Sequence, residues 1–219
     1  MITFEDIKSS KEIKTYIRKA DDSLEELGYT EHSFAHVGKV ASQAQEILLM
    51  LGYDERTAEL ARIAGYMHDI GNVVNRVDHA QSSAIMAFRI LDKMGMEVEE
   101  IATIISAIGN HDEATAVPVN AVAAALILAD KSDVRRSRVR NRDLASFDIH
   151  DRVNYSVESS TLVIDEGNCY AVLNLKIDTE LFTIMDYFEI FLGRMLLCRR
   201  AAEFLKLRFK LVINEVELL

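Results

Sequence analysis

The side chains with the most chemistry to offer in this sequence are four histidines and two aspartates: His36, His68 beside Asp69, His79, His111 and Asp130. The adjacent pair lies in GYMHDIGN, residues 65–72, at the end of what reads as a buried helix, with Gly71 where a helix stop is expected. Neutral imidazole nitrogens and carboxylate oxygens suit borderline divalent metals such as iron, manganese, cobalt, nickel or zinc. A single histidine on an apolar face is usually a hydrogen-bonded core residue. Six ligand-type groups on inward faces are costly to bury unless paired, and a metal satisfies all of them at once. His32 and His150 lack such a placement and read as surface or cap residues.

Five helices must position these groups. Residues 30–51 carry Val37, Val40, Ala41, Ala44, Ile47, Leu48 and Leu51 in steps of three and four, with Thr30 as a cap and Gly52 at the end. His36 borders that stripe. A second helix opens at Asp54 and runs through Leu60, Ala61, Ala64 and Met67 to His68. A third starts at Asp78 and ends before Gly95, with His79 in line with Ala87, Ile90 and Met94. A fourth covers 97–109, and His111 falls three residues past its Ile108. A fifth begins near Asn120, passes through AAALILA to Asp130, and is expected to continue to about Arg142. On that continuation Lys131, Arg135, Arg138 and Arg142 share one face beginning beside Asp130. Guanidinium forks suit phosphate oxygens, so Lys131, Arg135 and Arg138 are candidate substrate contacts, with Asn72 and Arg76 at the mouth. The bland alternative for the distal arginines is a solvated basic face.

The pattern changes after residue 150. STLVID and CYAVLNLKI alternate as strands around a turn-like EGN, a helix follows with Leu181, Ile184, Met185, Phe188, Leu192 and Met195 inward, and KLRFKLVINEV alternates again. The expected fold is mainly α: a helical domain over 1–150, then a small β-β-α-β module over 151–219 that packs as a separate layer and supports a homodimer. Net charge −10 among 219 residues argues against a general nucleic-acid binder, and the nine-residue apolar run at 121–129 is too short for a membrane span of about 20 residues. Two distant cysteines argue against a disulfide framework or a cysteine zinc site. A cytoplasmic protein is the expectation.

The order His36, His68-Asp69, His79, His111, Asp130 resembles the HD-domain superfamily of metal-dependent phosphohydrolases, over about residues 30–142. The resemblance implies that His36, His68, Asp69 and Asp130 hold one divalent metal. It implies that His79 and His111 complete a second site, with Asp69 bridging. Two such ions would activate a water as hydroxide and clamp phosphate oxygens, making Asp69 and Lys131 the catalytic candidates. HDIGNV departs from the HDxxED of the guanosine-tetraphosphate hydrolases, and there is no GYP signature. The five-point arrangement is similar to that of the diadenosine-tetraphosphate hydrolases. The expected function is hydrolysis of a small, nucleotide-like phosphorylated substrate. The alternatives are a non-catalytic nucleotide sensor and a di-iron oxygenase.

Overall fold

The structure is a computed structural model, and it describes residues 1–218 except 114, 166, 168, 181 and 182. Two of the three residues of the expected EGN turn, and the expected inward Leu181, lie outside the described residues. Helices α1 (Phe4–Ser9) and α2 (Lys11–Glu26) come first. The ligand-bearing helices α3 (Phe34–Met50), α4 (Glu55–Met67), α5 (His79–Met94), α6 (Val98–Gly109) and α7 (Ala121–Lys131) follow.

Their starts follow local chemistry. Asp54 accepts from the Thr57 amide to cap α4, and Asn120 accepts from the Ala123 amide to cap α7. The cap of α3 is Ser33 rather than Thr30, so that helix starts later than the expected cap. Asp78, expected to cap α5 with its side chain, instead takes a left-handed backbone turn (φ 57°) and makes no such bond.

Helix α7 stops at Lys131, which corrects the expected run to Arg142. The Ser132 hydroxyl donates back to the Ala129 carbonyl (3.0 Å), the Asp133 amide turns to the Asp130 carbonyl, and Val134 is pulled into the core. Only a short 3-10 turn, Arg136–Arg138, follows. Lys131, Arg135, Arg138 and Arg142 therefore do not share a helix face.

After a further 3-10 turn, Leu144–Ser146, come α8 (Ile149–Ser156), β1 (Val157–Asp165), β2 (Tyr170–Ile177), α9 (Ile184–Phe204), β3 (Arg208–Ile213) and β4 (Val216–Glu217). The sheet order is β1-β2-β3-β4. β1 and β2 form an antiparallel hairpin, and α9 is the crossover that makes β3 parallel to β2. Alternation sends Ala171, Leu173, Leu175, Ile177, Phe209, Leu211 and Ile213 to one buried face. That apolar surface is continuous with the helical core. Helix α7, buried from Val122 to Lys131, lies at the centre, packed against α3, α4, α6 and α9. Among the described residues no helix is long and apolar enough to cross a membrane.

Candidate metal centre

The chain turns sharply after α4. His68 is the C-cap residue, Asp69 follows, and Ile70–Val73 form a 3-10 turn against α5. Gly71 makes that contact possible: a Cβ there would lie 2.4 Å from both the His79 carbonyl oxygen and the Ser83 nitrogen. Its role is thus close approach rather than helix termination. The Gly71 amide donates to the Ser83 hydroxyl (2.7 Å), which fixes the spacing between the Asp69 turn and His79.

All six ligand-type residues converge, and all six are buried. His36 Nε2 lies 3.3 Å from Asp130 Oδ1 and 3.7 Å from Asp69 Oδ2. His68 Nε2 lies 3.2 Å from Asp69 Oδ2 and 3.7 Å from Asp130 Oδ1. The other Asp69 oxygen, Oδ1, faces His79 Nε2 at 3.5 Å and His111 Nε2 at 3.8 Å, and those two nitrogens are 3.2 Å apart. Ligand atoms each about 2.1 Å from one ion sit roughly 3–4 Å from each other, so these spacings suit ligation.

The hydrogen bonds on the far side of each ring fix the tautomers. Nδ1–H of His68 donates to the Gly65 carbonyl (2.8 Å), that of His79 to the Arg76 carbonyl (3.1 Å), and that of His111 to the Ile108 carbonyl (2.6 Å). Nδ1–H of His36 donates to Asp133 Oδ2 (2.8 Å). Each ring therefore presents the Nε2 lone pair inward, as metal-ligating histidines do. His36 Nε2 and His68 Nε2 are buried and have no hydrogen-bond partner. Two orphaned lone pairs beside two carboxylates fit a divalent cation. His79 Nε2 differs, because the Arg76 guanidinium donates to it (3.3 Å) and would have to withdraw before His79 bound an ion.

The electrostatics agree. Burial opposes charge on His68, but Asp69 and Asp130 outweigh it and push that imidazole up to about 10. Burial also works against Asp69 and Asp130, yet His68 holds the first well below the usual carboxylate range, and Lys131 the second. The acids demand positive charge, which a bound metal would supply in place of a proton. Burial drives His79 the other way, down to about 3.

The substrate-side expectations fare unevenly. Lys131 lines the cavity over the metal ligands, with Nζ 2.7 Å from Asp130 Oδ2 and 3.2 Å from Glu113 Oε2. Arg76 and Arg138 line it too. Asn72 does not stand at the mouth: it is buried, and its amide donates to both the backbone and side-chain oxygens of Asp69 (3.0 Å each). Arg135 is also misplaced by the sequence reading. With α7 ended, it turns away to Asp133 (3.0 Å), Ser137 (2.7 Å) and Glu31 (3.2 Å).

Four residues at this centre escaped the sequence reading. Asp133 orients His36 while accepting from Lys39 (2.8 Å) and Arg135. Glu113 is gripped by Lys131 and by Arg194 of α9. Arg194 and the half-buried His32, the latter read from the sequence as a surface or cap residue, line the same cavity. Burial, reinforced by Arg138, keeps His32 neutral, well below its usual range, and its Nδ1–H donates to the Thr30 carbonyl (2.6 Å). The spacing of Asp130 and Asp133 was the available signal for a second acid. Nothing local marked Arg194, which lies 64 residues beyond Asp130.

A family model for the HD domain matches residues 33–152. This chain belongs to the HD domain family, whose superfamily comprises metal-dependent phosphohydrolases. Among particular relatives, it is 24% identical to the uncharacterized protein MJ1020 of Methanocaldococcus jannaschii, over 75% of this chain and 71% of that one. It is also similar to the crystal structure of a predicted HD superfamily hydrolase from an uncultured Thermotogales bacterium. There the identity is 26% and the TM-score 0.47, covering 62% of this chain and 75% of the other.

Proposed function

We propose that this protein is a phosphohydrolase that uses two divalent ions, iron, manganese or similar, to cleave a small nucleotide-like phosphorylated substrate. The observation that carries the reading is Asp69: its two oxygens face two separate imidazole pairs, Oδ2 toward His36 and His68, Oδ1 toward His79 and His111. Divalent ions held by these residues would supply Lewis acidity to a water and to phosphate oxygens. The chain's own residues do the rest. Asp69 and Asp130 hold the negative charge that would retain the ions, and Asn72 keeps Asp69 in place. Lys131, Arg76, Arg138 and Arg194 ring the cavity and offer charge-assisted donors to phosphate oxygens. This ring takes over the role expected of the arginine row.

The test is elemental analysis of the metal-loaded protein alongside a phosphate-release panel of nucleoside mono-, di- and triphosphates with added manganese. Two ions per chain and phosphate release are expected. One ion per chain rejects the pair. Nucleotide binding without release points to a sensor, and oxygen consumption to a di-iron oxygenase. A homodimer is also proposed, through β1, which is an edge of the sheet. Light scattering at the mass of one chain rejects it.

A further inference from the structure

A second groove lies on another side of the helical bundle, and the proposed phosphohydrolase chemistry does not use it. Four helices each contribute residues four apart: Phe4 and Lys8 from α1, Lys14 and Arg18 from α2, Phe34, Gly38 and Ser42 from α3, Arg62 and Tyr66 from α4. A spacing of four puts each set on one face of its helix, so the convergence is a built feature of the packing. His36 lies between Phe34 and Gly38 in sequence but points to the opposite side of α3, into the metal centre.

The groove gathers cations in an otherwise acidic molecule. The chain carries net charge −10, and many of its cations are ion-paired: Arg56, Lys131, Arg135, Arg140 and Arg194 each meet an acid. Among the described residues, no carboxylate pairs with Lys8, Lys14, Arg18 or Arg62. Arg62 lies with its guanidinium 3.9 Å over the Phe4 ring, and its Nε is buried without a hydrogen-bond partner. Phe4 packs edge-on against Tyr66, making an apolar floor, while Phe34 stands exposed at the rim. A Cβ on Gly38 would meet nothing within 4 Å, so the middle of the α3 wall is open. The groove holds about 500 Å³, within the range of about 300–1,000 Å³ usual for small-molecule sites.

Four cations without an acid partner converging on one groove suit a polyanion, and the exposed Phe34 ring at its rim suits a planar ring. We infer that this groove binds a nucleoside polyphosphate, with the phosphates on Lys8, Lys14 and Arg18 beside the Arg62 guanidinium and the base against Phe34. The site is separate from the metal centre, although α3 and α4 wall one and supply ligands to the other.

The test titrates a fluorescent N-methylanthraniloyl-ATP onto the full-length protein in EDTA, so that neither bound metal nor hydrolysis contributes. Lys14→Ala and Arg18→Ala should each weaken binding about tenfold, the usual loss for one charge-assisted contact. Gly38→Trp fills open space on an exposed helix face and should abolish binding while leaving the circular dichroism spectrum and melting temperature unchanged. Arg194→Ala, which alters only the cavity over the metals, should leave the affinity within twofold. Unlabelled ATP should displace the probe at a concentration at least tenfold lower than tripolyphosphate. Undiminished binding in both lysine-and-arginine variants and in Gly38→Trp would overturn the inference. So would equal displacement by tripolyphosphate, which would leave a simple anion patch. Because the readout is binding without metal, failure here leaves the phosphohydrolase reading untouched, and loss of that reading leaves this site standing.

Discussion

Asp133→Asn tests whether the metal centre depends on the charge behind its ligands. In the native protein Asp133 is fully buried, and its two oxygens serve four neighbours. Oδ2 accepts from His36 Nδ1 (2.8 Å) and lies 3.9 Å from Arg138, while Oδ1 accepts from Lys39 (2.8 Å) and Arg135 (3.0 Å). Burial opposes the charge, but His36 and Arg138 outweigh it and hold the carboxyl well below the ordinary range. The asparagine keeps the volume and can still accept from His36 through its oxygen. It loses the charge that makes His36 a stronger donor of electrons to a metal. Changes of this kind typically weaken metal binding by about 10- to 100-fold, or about 1.4–2.8 kcal/mol at 1.4 kcal/mol per decade. The sign in pH follows from the lowered pKa. The charge stabilises the native fold above the unfolded carboxyl value of about 3.9, and that contribution is lost as pH falls below it. The variant should therefore be less stable at pH 7 and show a shallower acid transition. Competition against a chelator of known affinity gives the metal constant, and urea melts at several pH values give the stability. Lys39→Ala, whose side chain is 40% exposed, is the control and should change affinity less than threefold. Equal affinity in Asp133→Asn and the native protein would refute the claim that the carboxylate tunes His36.

Gly71→Ala forces a Cβ against backbone atoms of α5 at 2.4 Å, so the Asp69 turn and His79 must separate. A loss of roughly 3 kcal/mol or more in a urea melt is expected, together with loss of one ion per chain, and a variant within about 0.5 kcal/mol of native would contradict it. Cys198 is buried, and that burial pushes its thiol up to about 12. A raised thiol pKa means that stability is fully present below the unfolded value of about 8.5 and falls by up to about 1.4 kcal/mol per pH unit as pH rises from there toward 12. Cys198→Ala should flatten that alkaline slope in denaturation curves between pH 9 and 11, and an unchanged slope would assign the loss elsewhere.

How much was legible in the sequence depended on how local the signal was. The apolar stripes of α3 to α7 placed His36, His68, His79, His111 and Asp130 on inward faces, because a helix's period alone decides which side chains share a face. The alternation in 169–177 and 207–213 likewise gave β2 and β3. Termination was harder. The arginine-rich segment after Asp130 has good helix propensity, and a local bond together with long-range packing ends it: Ser132 folds back, Val134 enters the core, and Arg138 is drawn to the carbonyls of Asp133 and Glu31. Arg135 was misassigned for that reason alone. Gly71 read as a helix stop because sequence cannot show what packs against a glycine. His32 and Arg194 were missed because their neighbours come from distant segments, and no periodicity connects α9 to α7.

The same long-range contacts decide what the residues beyond 150 contribute. Arg194 of α9 and Lys131 of α7 hold Glu113 between them, and Lys131 in turn meets Asp130. The Ser160 hydroxyl donates to the Ser132 carbonyl (2.6 Å), and Arg136 donates to the Tyr155 carbonyl (2.6 Å), which fastens the segment after α7 to β1 and α8. The division expected at residue 150 is thus a proposal about roles: 1–150 carries the metal ligands, and 151–219 supplies one cation of the cavity and a cover for α7. Two changes separate these contributions. Arg194→Ala should leave metal content unchanged and lower kcat/KM by about 10- to 100-fold, the loss of one charge-assisted phosphate contact of roughly 1.5–3 kcal/mol. Truncation after 150 removes α9 from α7, apolar from Ala121 to Ala129, and exposes buried surface, so the fragment should aggregate or bind a hydrophobic dye strongly. A soluble fragment with native metal affinity and native kcat/KM would show that α9 is dispensable to the centre, and the assignment of Arg194 to the substrate cavity would fall with it.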